Sequence, residues 1–167
     1  MEKINSLFAD EEYRSLLGRL EELESERIFC CHGIEHLLAV ARIAWIRNLE
    51  EDLGLGKEEV YLAALLHDLG RIDEYERGVP HHEAGRERAE YFLNKLEVQG
   101  SEQENILRAI GAHRRKNFTE SEQIKQTGES LGNILAWADK ASRNCNFCHA
   151  YEACKWSREE KDRRLER

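Results

Sequence analysis

The stretch LAALLHDLGR, residues 62–71, decides how this 167-residue chain is read. A run of apolar helix formers leads straight into His67 and Asp68, and Gly70 follows. The run marks a helix made for burial, and the glycine marks its end. A carboxylate buried without partners is strongly destabilising. Groups from elsewhere in the chain must therefore converge on Asp68.

Composition narrows what the rest can be. Charged residues make up 35% and hydrophobic ones 41%, with one proline and eleven glycines. So few turn-formers disfavour an all-β domain and predict an all-α fold. At this length a single domain over residues 1–167 is expected. No run approaches the ~18 apolar residues of a membrane span, and the acidic start MEKINSLFADEE is not signal-like, so a cytoplasmic protein without membrane contact is expected. A net charge of −8 argues against binding a nucleic-acid backbone. A small phosphorylated substrate stays open, because bound metal reverses the local sign. The five cysteines read as thiols or metal ligands before disulfides.

Apolar spacing predicts helices over 10–27, 32–53, 57–68, 81–96 and 130–143. Ser101-x-x-Glu104 is a capping-box pattern opening a further helix to about His113. RIDEYERGVP, residues 71–80, reads as a polar connection, 117–128 stays unassigned, and SREEKDRRLER at the end reads as a solvated helical tail.

The remaining candidate ligands fall at helix ends or on the rims of apolar faces. These are His36, His82, His113 and Asp139, placed where side chains from packed helices converge. Each has an ordinary reading alone. A histidine on an apolar helix is usually a hydrogen-bonded core residue, Asp139 has Lys140 and Arg143 as neighbours, and His113 precedes the basic run Arg114, Arg115, Lys116. The order His, His-Asp, His, His, Asp shifts the balance, together with its contexts HLLAVARIA, AALLHDLGR, HHEAG, AIGAHR and AWADKASR. This pattern resembles the HD-domain superfamily of metal-dependent phosphohydrolases.

The resemblance implies an all-α bundle of the HD type, with its motif region at 32–143 and a Cys-bearing tail at 144–167. It implies two divalent metals, with Asp68 bridging them, His36, His67 and Asp139 holding one, and His82 and His113 the other. Imidazole and carboxylate donors suit first-row ions, iron first and manganese next. Two registers need a choice. His36 is preferred to His32 because it precedes Val40-Ala41, and His82 is preferred to His81 because HEAG then matches. Paired metals acidify a water and clamp a phosphoryl group. Asp68 would orient that water, while Arg71, Arg114, Lys116, Lys140 and Arg143 are the cations available for phosphoryl charge. The expected function is hydrolysis of a phosphate ester or anhydride, with a nucleotide the expected substrate and partner. Two alternatives stay open: an HD-fold di-iron oxygenase of a small polyol or phosphonate, and a non-catalytic metal-binding signalling module.

Cys145, Cys148 and Cys154 form a C-x2-C-x5-C pattern that the resemblance does not supply. With Cys30 they make a candidate structural zinc site, and His149 is a substitute ligand. The ordinary reading is free thiols packed as small hydrophobes.

Overall fold

The structure is a computed structural model that describes residues 1–112 and 127–161. Among them the helices are α1 (Glu2–Ala9), α2 (Glu11–Leu23), α3 (Ile34–Glu50), α4 (Lys57–Leu66), α5 (Arg71–Arg77), α6 (His81–Lys95), α7 (Gly100–Ala112), α8 (Thr127–Ala141) and α9 (Arg158–Lys161), with a 3-10 turn at Cys145–Phe147. No strand occurs among the described residues, so the fold is all-α.

The helix ending in the His-Asp pair is the hub. Val60, Leu62, Ala63, Ala64, Leu65 and Leu66 of α4 are all buried. A helix apolar on every side needs neighbours on every side, and α3, α6, α7 and α8 supply them. One contiguous apolar core joins residues of α1, α2, α3, α4, α6, α7 and α8. Two polar clamps set the register. The Asn48 side chain donates to Leu55 O at 3.2 Å and accepts from Leu55 N–H at 3.0 Å, which fixes the α3–α4 turn. Tyr13 donates to Leu65 O at 2.9 Å and packs edge-on against Phe92, holding α2 over the hub.

Two helices depart from the expected boundaries. In α1, only Ile4 and Leu7 are buried, too short an apolar pattern to show as periodicity. The connection expected at 71–80 is largely α5, which ends where Gly78 turns into the left-handed region at φ 70°. The polar stretch folds because Asp73, 2% exposed, is bound by Arg77 of its own helix and Arg88 of α6. The tail is helical and exposed over Arg158–Glu160, as expected, but Lys161 turns back onto the protein. Lys161 is buried and donates to Tyr151 O at 2.8 Å and Cys154 O at 3.0 Å.

Asp73 gives the protein an acid-sensitive joint between α5 and α6. Burial pushes its pKa up, but the Arg88 and Arg77 guanidiniums outweigh burial and hold it below the ordinary value. A carboxylate depressed in the folded state adds stability above its unfolded pKa of about 3.9 and loses it as pH falls toward the folded value. Asp73→Asn is expected to cost about 2 kcal/mol at pH 7. It should also flatten the loss of stability between roughly pH 5 and 3. Urea unfolding across that range checks both.

Candidate metal centre

Four side chains from three helical segments meet beside the end of α4. His36 comes from the first turns of α3, His67 and Asp68 from the end of α4, and Asp139 from the last turn of α8. Each offers one ligand atom, and those atoms lie within 4.8 Å of one another. Among the described residues this is the one cluster with such geometry.

Backbone and hydroxyl partners orient the rings. His67 Nδ1 lies 2.7 Å from Ala64 O, so Nδ1–H donates to that carbonyl and Nε2 points to the cluster. His36 Nδ1 lies 3.1 Å from Ser142 Oγ, which itself donates to Asp139 O at 2.7 Å. Ser142 thus sets the His36 tautomer while bracing the helix turn that carries Asp139. Such partners on the far nitrogen are what hold metal-ligating histidines in place.

Asp68 is 1% exposed. Its Oδ2 sits 3.0 Å from His67 Nε2 and 3.5 Å from His36 Nε2, yet this buried oxygen accepts no hydrogen bond of sound geometry among the described residues. Burial pushes the Asp68 pKa up, but the surrounding histidines hold it well below the usual range. Asp139 is held low in the same way, against its burial, by His36 and Arg143. A buried carboxylate oxygen beside two imidazole nitrogens is a donor suited to a cation. The nitrogen and oxygen donors fit a first-row divalent ion.

Two guanidiniums flank the cluster. Arg71 donates to Asp68 Oδ1 at 3.2 Å and to Glu74 Oε2 at 3.0 Å. Arg143 donates to Asp139 Oδ1 at 2.7 Å and to Cys31 O at 3.3 Å, and its Nη2 lies 3.2 Å from His36 Nε2. Lys140 follows Asp139 on α8 and is half-buried. His113, Arg114 and Lys116 lie outside the described residues.

The adjacent histidines of α6 have different surroundings. His81 is fully buried, and its Nδ1 lies 3.0 Å from Glu74 Oε2, so Glu74 and Arg71 link it to Asp68. Burial and the Arg71 charge lower its pKa to about 4. The His82 side chain is 35% exposed, although its Nδ1 is buried without a hydrogen-bond partner among the described residues. Neither belongs to the four-residue cluster. The preference for His82 over His81 therefore meets an arrangement in which His81 is the ring wired to Asp68.

One group of supporting residues has no sequence signal. Glu24, at the end of α2, is 4% exposed. It accepts from the His32 backbone N–H at 2.6 Å, lies 2.5 Å from His32 Nδ1, and accepts from the Tyr75 hydroxyl at 2.6 Å. His32, 2% exposed, sets its ring edge-on against His36 with centroids 5.7 Å apart. Burial lowers the His32 pKa despite the Glu24 bond. Sequence alone passes over His32 in favour of His36. The structure makes it a wedge that Glu24 and Tyr75 hold against His36.

The cysteines do not gather as four ligands. No set of three or more that includes a cysteine lies within ligand reach among the described residues. All five are free thiols, ranging from buried Cys145 to exposed Cys31. Cys30, Cys31, Cys145 and Cys148 line one cavity, and Cys154 lies off it.

Comparison with known proteins completes the picture. The HD domain profile matches residues 33–144, a span that contains all four residues of the cluster. The chain belongs to the HD-domain family. HD domains bind divalent metal, and the His/Asp cluster is where this one would hold it. An uncharacterized protein of Clostridium beijerinckii is 36% identical over 97% of each chain. A crystal structure titled "predicted HD superfamily hydrolase", from an uncultured Thermotogales bacterium, shares the fold with a TM-score of 0.59 at 24% identity, covering 89% of this chain and 80% of that one. No described helix of this HD protein is long and apolar enough to cross a membrane.

Proposed function

We propose that this HD protein is a metal-dependent phosphohydrolase that cleaves a phosphate ester or anhydride of a nucleotide. The observation that carries the reading is the buried cluster His36, His67, Asp68 and Asp139 with a guanidinium on either side. Ionised carboxylates and oriented imidazoles would hold the cation. A divalent metal bound there supplies Lewis acidity for a phosphoryl oxygen and lowers the pKa of a water. Arg143 and Arg71 then meet the charge that builds on the phosphoryl oxygens, fixed in advance by Asp139, the Cys31 carbonyl and Glu74. Burial of Asp68 and His67 excludes bulk water and strengthens each of these interactions. A title naming an HD superfamily hydrolase on the same fold is in keeping with this.

The pattern with four histidines extends the proposal to two ions, iron or manganese, the second drawing on α6 and His113. The test is metal analysis of protein purified without oxygen, followed by a panel of phosphate esters and nucleotides with Mn²⁺ or Fe²⁺. Turnover should proceed anaerobically, vanish with chelator and return with metal, at about two ions per chain. His81→Ala and His82→Ala, assayed side by side, should show which α6 histidine lowers that content toward one. Metal-loaded protein that turns over nothing on the panel, or that consumes dioxygen, would overturn the phosphohydrolase reading.

A further inference from the structure

Beside the cluster lies a cavity of about 420 Å³, large enough for a small organic ligand. Its lining includes His36, Ser142 and Arg143, so it adjoins the proposed phosphoryl site. Part of its lining is apolar and exposed. Phe147 is 81% exposed, Ile28 66% and Phe29 38%, and all three line it. Exposed aromatic side chains beside a concave site suit ligand contact, since no described residue covers them.

We propose that this cavity is the nucleoside subsite, with the base lying flat against the Phe147 ring and its phosphate directed to Arg143. The assignment rests on the phosphohydrolase reading and adds what binds beyond the phosphate. Phe147 is well placed for such a role. It ends the 3-10 turn at Cys145–Phe147, and buried Cys145 anchors that turn to the protein. The ring is thus held on a fixed segment although its faces are open. Arg143 lies four residues earlier, so one short segment carries both the phosphate contact and the base contact. A flat ring stacks on an open aromatic face, whereas an acyl chain would need an enclosed tunnel.

The cysteines find a place in this arrangement. Thiols pack as small apolar groups, and Cys30, Cys31, Cys145 and Cys148 all line the cavity. Partial desolvation and the nearby Glu24 charge push the Cys31 pKa up, which favours the neutral thiol. In a chain of net charge −8, Glu35 is the one carboxylate among the cavity's described lining. Arg143, His36 and His149 face it. Asn144 adds a side chain that both donates and accepts, suited to the edge of a base.

The test is calorimetric binding of the four ribonucleoside monophosphates and of ribose 5-phosphate, which lacks only the base, to manganese-loaded protein. At least one nucleotide should bind about tenfold or more tightly than ribose 5-phosphate, the worth of one base stacked on an aromatic ring. Phe147→Ala should reduce that preference by about tenfold, and Phe147→Trp should keep or increase it. The side chain is exposed, so the variants are expected to fold, and circular dichroism checks it. Equal affinity for nucleotides and ribose 5-phosphate, or a preference insensitive to Phe147, overturns the subsite. The two readings fail separately. Hydrolysis without base preference sinks only the subsite, while Phe147-dependent nucleotide binding without hydrolysis sinks only the phosphohydrolase.

Discussion

Asp68→Ala is expected to remove metal and turnover together while the helices stay folded. The carboxylate is the centre of the cluster, with His67 Nε2 3.0 Å and His36 Nε2 3.5 Å from its Oδ2 and the Arg71 guanidinium on its Oδ1. Removing it leaves two imidazoles and Asp139 as donors, beside two guanidiniums that then repel a cation with less opposing charge. Loss of the metal's Lewis acidity is worth several kcal/mol, or about a thousandfold in rate. Metal content should fall below roughly a tenth of wild type. The apoprotein changes less, because the alanine removes a buried charge but also takes a partner from Arg71, which keeps Glu74. Asp68→Asn, which preserves shape, should lose metal and rate just as fully. A variant that keeps its metal and more than about a tenth of the rate would show that Asp68 is not a ligand.

The parts of this site legible in sequence are those whose signal is local. His67 and Asp68 end a run so apolar that it had to be buried. His36 and Asp139 stand on helices whose spacing already turned them inward. Glu24 could not be read in this way, because EELESER shows only one more acid in a charged stretch. Its burial comes from His32, eight residues on, and Tyr75, 51 residues away. The choice between His81 and His82 is hard to read for a related reason. Adjacent residues on a helix point about 100° apart, and which one turns inward depends on how α6 docks. For the cysteines, spacing says little about burial. C-x2-C suggests paired ligands, but the turn buries Cys145 while leaving Cys148 partly exposed. Residues 113–126, with His113 and Arg114, lie outside what the structure describes.

Gly70→Ala is expected to be the most damaging single methyl in the protein. Gly70 follows the His-Asp pair and opens α5, in ordinary helical φ/ψ, so backbone strain does not require a glycine there. Space does. A Cβ at Gly70 would fall 2.1 Å from His81 O, 2.3 Å from Gly85 N and 2.8 Å from Gly85 Cα. These are backbone atoms of α6, and they cannot turn aside as a side chain would. Gly85 answers from the other side, where a Cβ would stand 3.2 Å from His67 O. The glycine of HDLG and the glycine of HHEAG are therefore the two halves of one contact, which lets α6 lie against the turn that carries the metal ligands. Forcing a methyl between them must separate the elements. The expected cost is about 3 kcal/mol or more, the upper part of the range for overpacked cores. In a chain of this size that lowers Tm by roughly 6–12 °C. The separation also draws His81 away from Glu74, and so from the Arg71–Asp68 pair, so metal affinity should fall in the fraction that folds. Gly78→Ala provides the contrast, since a Cβ there meets nothing within 4 Å and the penalty is only that of the left-handed backbone, about 1 kcal/mol. Thermal melts of the two variants, with and without metal, decide the matter. Equal Tm losses for Gly70→Ala and Gly78→Ala would mean that α6 is not pressed against the ligand turn.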